Sequence, residues 1–132
     1  MDQKNIMHGG GRSSIELCDL ISSSQELIHL KPYSGSSTLS HLFNQGVVSA
    51  ELLVADKNFF KKANSKIREQ EKGDKFQISD ARKVKIVFGI ISKDTDSLPK
   101  IPFFSKVAFR HAKSRLQAFG LDVSIKNIHD AR

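Results

Sequence analysis

Ile15-Glu16-Leu17-Cys18-Asp19-Leu20-Ile21, then Ser22-Ser23-Ser24-Gln25, then Glu26-Leu27-Ile28-His29-Leu30-Lys31 is the stretch whose reading decides the fold. The first run alternates, with Ile15, Leu17, Asp19 and Ile21 on one side and Glu16, Cys18 and Leu20 on the other. Alternation of period two is the mark of a strand. The serines signal a turn. The last run is a second strand, with Leu27, His29 and Lys31 opposite Glu26, Ile28 and Leu30. Two strands joined by so short a link form an antiparallel hairpin. Pro32 stops the second strand or leaves it at an edge.

Downstream, Ser34-Gly35-Ser36-Ser37 is a loop that precedes a helix over Ser37–Val54. Leu39, Leu42, Phe43, Val47, Ala50, Leu53 and Val54 fall near i, i+3, i+4 along it. Gly46 sits inside this helix and weakens it. Asp56 is placed to cap a second helix, with Phe59, Phe60, Ala63 and Ile67 buried and Gly73-Asp74 ending it. Lys83–Ser92 carries a nearly continuous apolar run, which suits an interior strand covered on both faces. A loop, Lys93–Pro102, leads to an amphipathic helix over Phe103–Phe119. Phe104, Val107, Ala108, Leu116 and Phe119 are expected inside it, and Lys106, Arg110 and Lys113, at i, i+4 and i+7, form an outer basic stripe. Gly120 ends the helix, and Leu121–Ile128 is a last strand. Upstream, Asp2–Met7 is a short edge strand, followed by a glycine break at His8–Gly11.

The order β, β, β, α, α, β, α, β predicts one α/β domain over residues 1–132: a mixed sheet, hairpin first, then helices and two further strands, with helices packed on it. The 132 residues suit one domain. No apolar run approaches the roughly 18 residues of a membrane span. The single cysteine, Cys18, excludes an internal disulfide and a cysteine-rich zinc site, and favours a reducing, cytoplasmic setting. The five histidines have no zinc-motif spacing, and Gly9-Gly10-Gly11 is not followed by the Lys-Ser or Lys-Thr of a phosphate loop. The net charge of +7 favours a polyanionic partner, or else a solvated basic surface.

Asp19, His29 and Lys31 are the candidate catalytic residues. His29 and Lys31, two apart on a strand, project from one face. Asp19 lies across from His29 if the hairpin is centred on Ser24; a slip of one residue puts it on the opposite face. Phosphodiester hydrolysis asks for a carboxylate that holds a divalent metal and a cation near the developing phosphate charge. Asp19 and His29 are the candidate metal ligands, for Mg²⁺ or Mn²⁺. Gln45, on the next helix, is a candidate polar neighbour of the site. Lys106, Arg110 and Lys113 are candidate phosphate contacts.

The Asp19 strand, followed by His29-x-Lys31, a helix and a further strand, resembles the PD-(D/E)XK, or restriction-endonuclease-like, nuclease superfamily. Ile15–Asp19, Ser40–Gly46 and Ile101–Lys106 are also similar to the C-terminal part of a sporadically distributed bacterial family of uncharacterised proteins. The resemblance implies a restriction-endonuclease-like fold and a metal-dependent endonuclease domain, associated with defence or mobile elements. DNA stands ahead of RNA as its substrate, and the chain would work as a homodimer or within a larger parent protein. One position departs from the pattern: His29 stands where the superfamily has Glu or Asp, and a neutral imidazole is a poor ligand for Mg²⁺. The alternative expectation is therefore a degenerate nuclease fold that serves as a nucleic-acid-binding or assembly module.

Overall fold

Ser22 turns the chain back on itself. Its N–H donates to the Glu26 carbonyl at 3.1 Å, its carbonyl accepts from Gln25 N–H at 3.0 Å, and its hydroxyl accepts from Glu26 N–H at 3.1 Å. Gln25 adopts φ 63°, as the last residue of a short hairpin loop often must. The computed structural model describes residues 5–7, 14–16, 18–71, 76–95 and 99–130. The expected breaks at Gly9–Gly11 and Gly73-Asp74 lie outside these residues.

The described residues form six strands and three α-helices: β1 Asn5–Met7, β2 Ser14–Glu16, β3 Leu20–Ile21, β4 Glu26–Pro32, α1 Ser36–Ala55, α2 Lys57–Glu71, β5 Lys85–Ser92, α3 Phe103–Ala118 and β6 Asp122–His129. The main sheet has the order β3-β4-β5-β6. Strands β3 and β4 are antiparallel, and β4, β5 and β6 are parallel. The architecture is the expected α/β one, a mixed sheet with the hairpin first and helices packed on it.

Among the described residues two differences from the sequence reading exceed a shift of one residue at an element's end. The strand expected over Ile15–Ile21 is split: β2 leaves the hairpin and pairs with β1 as a separate two-stranded sheet. Cys18 between them is fully buried in the core. The strand expected from Lys83 starts at Lys85, because Ala81–Lys83 form a 3₁₀ turn whose first N–H groups are capped by Asp80, its Oδ1 accepting from Arg82 N–H at 2.9 Å. The Asp56 cap is as expected, with Oδ1 accepting from Asn58 N–H at 2.9 Å and Phe59 N–H at 3.1 Å.

Both parallel connections, β4 to β5 and β5 to β6, step one strand in the same direction. Crossovers of the same hand then lay their helices on one face. That face carries Leu27, Ile86, Phe88, Ile90, Val123 and Ile125, and with α1 and α3 it forms the core. Phe88 is its centre, with Phe43 of α1 at 5.2 Å and Phe109 of α3 at 6.2 Å between ring centroids. The opposite face of β5 is buried as well, as expected of an interior strand, with Val87 only 5% exposed. At Gly89 its neighbours close over it: a Cβ there would lie 2.6 Å from Leu30 and 2.7 Å from Ile128.

Candidate functional site

Asp19 ends the short strand and begins the site. Its N–H donates to the Ile28 carbonyl at 3.0 Å, and its Oδ2 accepts from Leu30 N–H at 2.7 Å. Ile28 and Leu30 turn these groups toward the side where β3 runs, so Asp19 takes the place that a longer β3 would fill. This is the physical reason the strand stops. The hairpin register is the one centred on Ser24, with Leu20 opposite Ile28 and Ile21 opposite Leu27. Asp19 therefore brackets His29 through the backbone on either side of it.

His29 points into the core face, 3% exposed. It lies 5.7 Å from Phe88 between ring centroids, and a Cβ on Gly46 of α1 would sit 3.7 Å from its Cδ2. Burial lowers its pKa to about 4; the charge on Asp19 works in the opposite direction and is the weaker effect. The imidazole is neutral at pH 7, and its Nε2 is buried with no hydrogen-bond partner among the described residues. A neutral ring in this place is a core histidine before it is a charged catalyst.

Lys31 shares the His29 face of β4 and is half-buried, opposite Ile90 of β5. Gln45 is half-buried on α1, one residue before Gly46. No hydrogen bond or ion pair among the described residues joins Lys31 or Gln45 to Asp19 or His29. The structure thus brings Asp19 and His29 together, with Lys31 alongside on the strand, and leaves Gln45 uncoupled from them.

A divalent ion at this place would have Asp19 and His29 as its donors. Among the described residues no three His, Cys, Asp or Glu side chains are grouped to hold a metal ion. One Asp19 oxygen is already engaged by Leu30, and Mg²⁺ asks for octahedral oxygen coordination. The described residues do not complete a centre of that kind. The side chains of Asp2 and Glu16 lie outside them.

Asp19→Ala is expected to cost about 1–3 kcal/mol, because it strips the Leu30 N–H of its acceptor. Asp19→Asn keeps an oxygen for that bond and is expected to recover most of the loss. Urea unfolding of the two variants measures both.

The basic stripe stands on α3, beside β6. Lys106 and Arg110 are exposed and Lys113 is half-buried. Among the described residues none of the three makes an ion pair. Arg115, by contrast, is held by Glu51 of α1 through both of its carboxylate oxygens, one of them at 3.3 Å. The stripe rims an open cleft of about 390 Å³ between α3 and β6, with Ile101, Phe109 and Ile125 as its apolar floor.

The sequence reading missed two residues here. Phe104 was expected in the core, yet Phe103 and Phe104 are 73% and 76% exposed. The buried positions of α3 are Ser105, Ala112 and Leu116. Ser105 and Ala112 are small residues on the side that packs on α1, and Phe104, one position before Ser105, projects from a different side of the helix. Tyr33, another exposed aromatic, is less open, at 41%.

No helix among the described residues is long and apolar enough to cross a membrane. One family model matches residues 1–129, and its description is a family of unknown function, DUF6119. No curated protein and no solved structure matches the chain.

Proposed function

Because the chain belongs to DUF6119, a family of unknown function, we propose its role from its own surface: a nucleic-acid-binding module on a nuclease-like α/β scaffold. The observation that carries this reading is the α3 face. Lys106, Arg110 and Lys113 stand on one side of a helix that is otherwise anchored in the core, with no carboxylate among the described residues paired to them. Cations fixed on a rigid element, with no ion-pair partner among the described residues, are suited to phosphate contacts, each of which releases counterions from the polyanion. The net charge of +7 adds a long-range attraction of the same sign.

Binding of this kind is salt-dependent and largely independent of sequence. Replacing Lys106, Arg110 or Lys113 singly by Ala is expected to weaken binding similarly for all sequences. Each change should also make the plot of log affinity against log salt shallower by about one. Fluorescence anisotropy with a labelled oligonucleotide over a salt series measures this. Single variants with the wild-type slope would remove the stripe from the interface.

A second reading is a metal-dependent endonuclease acting at Asp19, His29 and Lys31, with DNA ahead of RNA. It is favoured by the juxtaposition of Asp19 with a buried histidine whose Nε2 has no partner among the described residues. Its test is cleavage of DNA and RNA with Mg²⁺ and then Mn²⁺. Cleavage by the wild type that is lost in Asp19→Asn and Lys31→Ala would establish that activity. Retention of nucleic acid without cleavage leaves the binding module.

A further inference from the structure

Phe103 and Phe104 form an edge-to-face pair with ring centroids 5.9 Å apart, and both are open to solvent at the first turn of α3. Phe103, Lys106, Arg110 and Lys113 follow one another at i, i+3, i+7 and i+10, so they share one stripe of the helix. Beside that stripe lies the cleft of about 390 Å³ floored by Ile101, Phe109 and Ile125. Its size falls within the range of about 300–1,000 Å³ that ligand clefts occupy. The surface thus offers aromatic faces, an apolar recess and cations in one run, with no acidic residue among the described residues that line the recess.

Resting on the nucleic-acid reading above, we propose that this surface selects single strands. Phosphates lie along Lys106, Arg110 and Lys113, while unpaired bases stack on the Phe103–Phe104 pair or enter the cleft. A duplex has the same phosphates but keeps its base faces stacked inside. Only a single strand can present both chemistries, and aromatic stacking of this type is indifferent to base identity. An exposed apolar pair needs a reason to be kept in water, and contact with bases supplies one.

The test uses the full chain and three labelled probes of equal length: oligothymidylate, a duplex and an abasic strand. Wild-type protein is expected to bind oligothymidylate about tenfold or more tightly than the abasic strand, the size of effect that stacking of one or two bases produces. The double variant Phe103→Ala/Phe104→Ala should lose that advantage and bind the duplex as before. Both side chains are exposed, so the variant keeps the wild-type fold, which its thermal midpoint checks. Equal affinity for all three probes, or a double variant that still prefers oligothymidylate, would overturn single-strand selection and leave the basic stripe in place. Failure to bind any probe overturns the nucleic-acid reading as well. Retention on phosphatidylserine vesicles in that case would assign the surface to an anionic membrane.

Discussion

Acidification from pH 7 to below pH 4 is expected to cost the wild-type fold about 3 kcal/mol more than it costs a His29→Leu variant. His29 is 3% exposed, and burial lowers its pKa from 6.5 to about 4 in the folded chain. Between those values the unfolded chain holds a proton on His29 that the folded chain lacks. The contribution is therefore fully present above pH 6.5, is lost as pH falls through the window, and levels off below about 4. Each step of one pH unit inside the window is worth about 1.4 kcal/mol, which sets the total. Asp19, close by, opposes the effect without cancelling it. Leucine fills a similar volume with no proton to bind, so the other acid-sensitive groups are common to both proteins. Urea midpoints at pH 7, 5.5 and 4 measure the difference. Parallel pH dependence in the two proteins would show that His29 is not held neutral by its surroundings.

Gly46→Ala is expected to destabilise the protein by about 1–3 kcal/mol, the usual cost of overpacking a core. On helix propensity alone the change would stabilise α1 by about 1 kcal/mol, so the sign separates the two effects. The close approach decides it: a Cβ at Gly46 would lie 2.5 Å from two carbons of the Phe88 ring. That ring has little room to move, being fully buried with Phe43, Phe109 and His29 around it. Phe88→Leu in the same chain should recover part of the Gly46→Ala loss, and a double-mutant cycle measures the coupling. A Gly46→Ala protein more stable than wild type would mean that the sheet and α1 are further apart than they stand here.

Much of this fold was legible because local chemistry and global packing agree. Ser22–Gln25 is turn chemistry and announces the hairpin, while the register centred on Ser24, one of two the sequence allowed, is decided by the pairing of β3 with β4. Asp56 is a cap by type and by position. Gly46 looked like a weakness of α1, since sequence periodicity cannot show that Phe88, 42 residues on, occupies the space of its missing side chain. The break before Asp19 was hidden for a related reason. Alternation continues through Leu17 and Cys18, while the event that stops the strand is a side-chain hydrogen bond to the neighbouring strand. Such a bond has no periodic signature. The helices' restriction to one face follows from the sheet order, which the sequence does not display.

The candidate sites divide in the same way. Spacing alone put Lys106, Arg110 and Lys113 on one face, and strand alternation put His29 beside Lys31. The cleft was invisible because Ile101, Phe109 and Ile125 come from a loop, a helix and a strand. Phe104 was misplaced because hydrophobicity was taken as the guide to the buried face, whereas Ser105 and Ala112 hold it through their small size.

The most direct measurement is a salt series of oligonucleotide affinity for the wild type and for the triple variant Lys106→Ala/Arg110→Ala/Lys113→Ala. Three lost phosphate contacts should make the plot of log affinity against log salt shallower by about three, with weaker binding at every salt concentration. A triple variant with the wild-type slope and affinity, or a wild-type protein that shows no salt-dependent binding, would contradict the proposal that α3 is a nucleic-acid-binding face.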